Sequence, residues 1–201
     1  KVYVETCPQY LLMDDSLYEL PGFESAKYVC APPLRKKEDQ DCLWKGLADG
    51  TIQTVSTDHC SFTTEQKKLG EGDFTKIPGG MPGAETRGTL IYTYGVDKGR
   101  ITKEDMCRVL SENPAKLYGL YPRKGVIAPG SDADLVIMRT GVEDVITAKD
   151  QVQNVDYAPF EGTKVTGRVE SVFLRGLQAV KDGKVVEEKK GEFLKRGKYA
   201  L

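Results

Sequence analysis

The chain has 201 residues, 39% hydrophobic and 29% charged, with a formal net charge of −1. That composition is ordinary for a globular protein of one large domain or two small ones, and so small a charge gives no long-range pull toward nucleic acid or anionic lipid. No apolar run approaches the roughly 20 residues that span a bilayer.

Lys1-Val2-Tyr3-Val4-Glu5 has neither an initiator methionine nor the apolar core of a signal peptide. It reads as the middle of a strand, Val2 to Val4, so the chain is expected to be part of a longer polypeptide. Lys27-Tyr28-Val29-Cys30 is a second predicted strand, stopped by Pro32-Pro33. Asp39 to Ala48 places Leu43, Trp44 and Leu47 at helical spacing, with Trp44 in the core and Asp49-Gly50 closing the helix. Thr51 to Thr57 is β-branched and alternating, hence a strand. Strand, helix, strand is the order a parallel α/β layer requires. Thr63 to Lys76 breaks periodicity and reads as a loop or irregular excursion, ending in Ile77-Pro78-Gly79-Gly80-Met81-Pro82-Gly83. A helix follows over Ala84 to Tyr94, with Leu90, Ile91 and Tyr94 on one face. Another spans Lys103 to Ser111, with Thr102 as N-cap and Glu104 and Asp105 in its first turn. Asn113-Pro114 starts a short helix, Asn113 as cap, that Gly119 stops.

From Gly125 the character changes. Pro129-Gly130 is a turn, Ala133 to Met138 and Glu170 to Arg175 are strands, and Val180 to Val185 is a hairpin around Asp182-Gly183. Gly141 to Thr166 reads as mostly irregular. The chain thus divides into an α/β part, 1–121, a β-rich part, 122–186, and a charged tail, 187–201, read as a surface tail or oligomer arm. Lys189, Lys190, Lys195 and Lys198 alternate with Glu and Gly and read as solvation, not a nucleic-acid surface. The five cysteines, Cys7, Cys30, Cys42, Cys60 and Cys107, are odd in number and form no Cys-x-x-Cys pair. Reduced thiols of a cytoplasmic protein are expected.

The chemistry concentrates at Thr57-Asp58-His59-Cys60. Asp58 stands where a strand of a β/α barrel delivers side chains to the catalytic face. A carboxylate there can bind a metal, act as a base, or cap a turn. His59 is the sole histidine, and a dyad with Cys60 is disfavoured because neighbours on a strand face opposite ways. The Gly79–Gly83 run lacks the Lys-Ser or Lys-Thr of a phosphate cradle. It reads as a tight turn or as bare backbone brought near a small substrate. Cys30-Ala31-Pro32-Pro33-Leu34-Arg35 admits the same two readings.

Val4-Glu5-Thr6-Cys7-Pro8-Gln9-Tyr10-Leu11 and Tyr28-Val29-Cys30-Ala31-Pro32-Pro33-Leu34-Arg35 resemble the dihydropyrimidinase and D-hydantoinase branch of the cyclic amidohydrolases. Thr57-Asp58-His59-Cys60 is similar to that branch's metal-aspartate motif. Asn113-Pro114-Ala115-Lys116 and the run from Lys124 to Leu135 resemble the superfamily's return from barrel to sandwich. Pro159-Phe160-Glu161-Gly162 and Val172-Phe173-Leu174-Arg175-Gly176 extend the likeness across essentially the whole chain.

The resemblance implies an α/β fold: the C-terminal part of a metal-dependent-hydrolase β/α (TIM-like) barrel plus part of a small β-sandwich. It also implies two divalent metal ions, usually zinc, bridged by a carboxylated lysine and a hydroxide and held by four histidines and one aspartate. Asp58 matches that aspartate, as metal ligand and as the catalytic group that moves a proton from the attacking hydroxide to the departing ring nitrogen. Substrate, a small cyclic ureide, is held by backbone groups at positions matching Ala31 and Gly79, where the family often has Ser and Asn. His59 lies outside the ligand set and is expected to hydrogen-bond behind it. A homo-oligomer, dimer or tetramer, is implied as well, with no nucleic-acid or membrane partner. The other metal ligands have no counterpart here, so a polypeptide beginning at Lys1 is expected to be inactive and to hold no stoichiometric zinc. The family also includes non-catalytic scaffolds, the collapsin response mediators; retention of Asp58 favours the enzyme.

Overall fold

A computed structural model describes residues 1–186 and 191–201. Strand β1, Glu5–Thr6, pairs in parallel with β2, Thr54–Val55, in the register Glu5 to Thr54 and Thr6 to Val55. The flanks continue the contact, Gln53 N–H donating to Val4 O and Ser56 N–H to Thr6 O. Both strands are shorter than the alternation predicts, and Val2 to Val4 lies outside β1. Each has only the other as ladder partner among the described residues.

Between them come α1, Pro8–Leu12, with proline in its first turn, and α2, Lys37–Asp49, which ends on Gly50 at φ 83°. The α2 face carrying Trp44 and Leu47 packs with Leu11, Ile52, Val55, Ile91, Ile101 and Val109. Burial of each such side chain contributes roughly 1.5–3 kcal/mol, and Trp44 Nε1 is satisfied by Leu11 O at 3.1 Å.

The strand predicted at Lys27 to Cys30 is absent. Glu24–Tyr28 forms a 3₁₀ turn, and Val29 N–H bonds back to Ala26 O. The β-prone residues are present, but among the described residues no strand lies alongside to complete a ladder. The stretch predicted as irregular holds a short helix, α3, Thr64–Lys67, and two 3₁₀ turns, Lys68–Gly70 and Phe74–Lys76. Thr63 and Gln66 close a capping box at the start of α3.

Helix α4, Arg87–Ile91, runs on as a π-helical turn over Tyr92–Val96. Helix α5, Lys103–Cys107, capped by Thr102 with Asp105, passes through a π-helical turn, Arg108–Glu112, straight into α6, Asn113–Leu117. Asn113 is therefore not a cap. The backbone before it is already helical, and its Nδ2 donates to Gln53 O at 2.8 Å, fastening the helix to the approach of β2.

The β-rich part is an antiparallel sheet in the order β3-β4-β5-β6: Leu135–Val145, Lys164–Leu174, Leu177–Lys181 and Lys184–Val185. β3 and β4 reach further than predicted because they pair with each other out to Val145 and Lys164, inside the stretch read as irregular. The β5–β6 hairpin turns at Asp182, φ 50°, and Gly183, φ 73°, the left-handed pair that a two-residue hairpin needs. Ile146 and Val165, at the near end of this sheet, share a second core with Met13, Leu34, Met81 and Leu90. Of the charged tail, residues 187–190 lie outside the described residues, Lys189 and Lys190 among them. Further on, Gly197 N–H and Ala200 N–H bond to Gly119 O and Lys116 O, at the end of α6. Among the described residues no helix is long and apolar enough to cross a membrane.

Candidate active site

Three residues beyond β2 the chain turns through Asp58 at φ 46°, a left-handed conformation that aspartate tolerates better than most residues. Its approach is held from both sides. Arg87 Nη1 bonds Val55 O at 3.2 Å, Gln9 Nε2 bonds Thr57 O at 3.2 Å, and Cys7 Sγ lies 3.3 Å from Ser56 Oγ. Burial pushes the Cys7 thiol up and lowers Arg87. Asp58 itself is exposed. Among the described residues no hydrogen bond or ion pair engages its carboxylate, so both oxygens are open to a ligand and the turn-capping role is not taken up. Among the described residues no three His, Cys, Asp or Glu side chains cluster as a metal site. One uncommitted carboxylate fits a divalent metal as a single oxygen ligand.

His59 and Cys60 run alongside the glycine-rich segment. His59 bridges Met81 in parallel fashion, Cys60 N–H donates to Met81 O, and His59 Nδ1 accepts from the Gly83 and Ala84 amides at 3.1 and 3.2 Å. Gly80 N–H in turn donates to Val29 O at 2.9 Å. The segments carrying Ala31, Asp58 and Gly79 are thereby brought side by side. Ala31 and Gly79 are exposed, and among the described residues no hydrogen bond uses the N–H or C=O of either. A Cβ at Gly79 would meet open space, so an Asn there would fit. Gly80 is different: at φ 142° its Cβ would stand 2.6 Å from Cys60 O and 2.7 Å from Cys60 Cβ. The glycine run is thus a close approach of two backbones.

Sequence reasoning missed Lys67. The last residue of α3 has no exposed surface, and its Nζ donates to Pro78 O at 2.7 Å, Gly80 O at 2.8 Å and Val29 O at 3.2 Å. The Phe62 ring centroid lies 5.6 Å away. Burial lowers its pKa to about 8. A lysine in a polar, aperiodic stretch carries no local mark of burial. The roles of the Gln9 and Arg87 side chains were equally invisible, since their acceptors lie about fifty and about thirty residues away along the chain.

Residues 15–186 match the Amidohydrolase family. The chain belongs to that family. This amidohydrolase chain is 51% identical over 200 residues to the D-hydantoinase of Geobacillus stearothermophilus, an alignment covering 98% of this chain and 42% of that protein. The D-hydantoinase structure from a Bacillus species, strain AR9, superposes with TM-score 0.97 at 48% identity, over 100% of this chain and 44% of that one. The dihydropyrimidinase structure from Brevibacillus agri gives TM-score 0.91 at 49% identity, covering 92% of this chain and 40% of that one. The chain thus spans about two fifths of the length of the relatives it matches.

Proposed function

We propose that the polypeptide to which this chain belongs hydrolyses the cyclic amide bond of dihydropyrimidines or hydantoins, opening the ring to an N-carbamoyl amino acid. In this reading residues 1–121 supply the C-terminal part of a β/α barrel and 122–186 part of a small β-sandwich, with 187–201 as a tail. The observation that carries it is the exposed, unengaged carboxylate of Asp58 just past β2, in a chain about half identical to a D-hydantoinase over nearly its whole length. Retention of Asp58 at the position of the family's metal aspartate favours the enzyme, because a scaffold has no chemical need for a carboxylate there.

Amidohydrolase-family enzymes generally use divalent metals. Asp58 would contribute one oxygen ligand to such a site, a zinc pair in this reading, with the remaining ligands outside this chain. Metal bound there supplies a water nucleophile at neutral pH and polarisation of the ring carbonyl. Asp58 then does the proton work. It takes the proton of the attacking water and hands it to the ring nitrogen as the carbon–nitrogen bond breaks, so that the nitrogen leaves as a neutral carbamoyl N–H. The edge of a cyclic ureide alternates C=O acceptors with N–H donors. The unclaimed N–H and C=O groups of Ala31 and Gly79 are suited to that edge, which orients the ring without a charged side chain. The family's frequent Ser and Asn at these positions are then dispensable, because the contacts are backbone ones. His59 would steady the Gly83–Ala84 turn beside the substrate. The five free cysteines support a reducing, cytoplasmic setting, and a homodimer or homotetramer completes the proposal, with neither nucleic acid nor membrane as partner.

The test is ring opening of dihydrouracil and hydantoin by the full-length polypeptide, with metal content measured alongside. Asp58→Ala should cost at least about a hundredfold in turnover, the lower end of what a positioned proton carrier supplies, while the fold survives. Near-normal turnover in that variant would end the assignment.

A further inference from the structure

The buried ammonium of Lys67 has no carboxylate partner among the described residues. A charge removed from water is costly unless it is compensated, and here the compensation is three backbone carbonyls: Val29, Pro78 and Gly80. An ammonium carries three N–H donors, so the match is one donor to one acceptor. The acceptors are not scattered. Pro78 and Gly80 flank Gly79, and Val29 lies two residues before Ala31.

A trans peptide unit is planar, with its C=O and N–H pointing opposite ways. Holding Pro78 C=O on Lys67 therefore turns the Gly79 N–H away from the interior. Holding Gly80 N–H on Val29 O turns the Gly79 C=O away in the same manner. Both polar groups of Gly79 are left outward and unclaimed by these two fixed planes. Val29 C=O, gripped by Lys67 and by Gly80 N–H, fixes the plane that leads into Cys30 and Ala31. Lys67 itself is placed by the Thr63–Gln66 capping box and by its own N–H on Thr63 O, and Thr64 N–H is anchored on Asp156 Oδ1 at 2.9 Å.

We propose that Lys67 is a positioning residue for substrate: its ammonium fixes the peptide planes around Gly79 and before Ala31, and so presents their free backbone groups at one spacing. This rests on the cyclic-ureide reading above and deepens it. Lys67 touches no substrate and moves no proton; it acts through the carbonyls it holds. Held backbone groups grip ground state and transition state alike, so their disorder should appear in KM and spare kcat.

The experiment uses the full-length polypeptide with Lys67→Met, which keeps an unbranched apolar stem and removes the donors, and Lys67→Gln, which keeps two N–H groups on a stem of the same reach as methionine's. Hydrogen exchange is followed in peptides covering 27–33, 76–84 and, as reference, α2. The proposal expects amides in the first two to exchange about tenfold faster in Lys67→Met and less so in Lys67→Gln, with α2 unchanged. It also expects KM for the cyclic ureide to rise about tenfold with kcat and metal content nearly constant. Unchanged exchange and KM in a folded variant overturn it. So does a parallel loss of α2 protection, or failure of both variants to fold, since Lys67 would then serve general stability. If the wild-type protein turns over no cyclic ureide, the functional reading fails while the exchange result still decides whether Lys67 sets the two segments.

Discussion

The helical half of the molecule and its antiparallel sheet solve the same problem by opposite means. In the sheet, backbone satisfies backbone: β4 is paired along its length by β3 on one side and, toward its end, by β5 on the other. Around the site, ladders are almost missing. Two residues of β1 meet two of β2, and the carbonyls left over are taken by long polar side chains: Lys67 on three, Gln9 on Thr57, Arg87 on Val55, Asn113 on Gln53, Arg108 on Leu47. The lesson concerns sensitivity. Removing a side chain from the sheet leaves its hydrogen bonds intact, whereas removing one near the site orphans a buried acceptor, the costlier event.

The largest effect expected on stability is that of Gly80→Ala. Its Cβ would drive into Cys60 on a backbone that disfavours side chains, and a loss of roughly 3 kcal/mol or more should appear as a lower urea midpoint. Gly79→Ala, one residue away in open space, should leave that midpoint nearly unmoved. If the two behave alike, the close approach of segments 58–60 and 79–83 is not what organises the site. Next in size is Asn113→Ala, which strands Gln53 O and should cost about 1–3 kcal/mol. Gln178→Ala, which removes only a bond to Ser171 Oγ on the sheet, should cost less than about 0.5 kcal/mol in the same assay.

A pH series sharpens the comparison further. Burial holds the Lys67 pKa near 8, below its ordinary 10.5. Between those values the folded chain has released a proton that the unfolded chain still binds, so stability should rise with pH across that window. Burial also raises the Cys30 thiol, so the folded chain keeps that proton longer than the unfolded one and this group opposes the trend. The difference in urea midpoint between wild type and Lys67→Met should therefore shift in favour of wild type from pH 8 toward 10.5; a flat difference would mean that the amine is not desolvated. Smallest of all is Arg139→Ala, which removes an exposed pair with Glu170. No change in midpoint is expected, as for most exposed ion pairs.

What the sequence made legible were features with local causes. Leu43, Trp44 and Leu47 with Gly50 mark α2, Thr102 with Asp105 marks the start of α5, and Asp182-Gly183 marks the hairpin, each within a few residues. Val29 and Cys30 show the limit. Their strand propensity is real, but a strand exists only if a partner runs beside it, and that is decided elsewhere. Asn113 fails for a related reason: a good cap residue is no cap when the preceding turn is already helical. At the site, the position of Asp58 could be read from the polar break after β-branched residues. Glycine and proline marked the segments of Ala31 and Gly79 as tight turns or as bare backbone near a ligand, but only likeness to a family singled out those two residues, because a free backbone amide leaves no trace in residue identity. Lys67, which settles where those amides point, depends on contacts up to 38 residues distant.

The two amides that converge on His59 have a consequence for its tautomer. An imidazole nitrogen that accepts from Gly83 and Ala84 must present a lone pair, so in the neutral ring the proton resides on Nε2. A metal ion requires a lone pair of its own. Coordination through Nε2 would oblige the proton to move to Nδ1, into the face of two N–H groups, and would release the turn that follows Pro82. The only imidazole in the chain is thus spoken for by its neighbours, one residue from a carboxylate that is not.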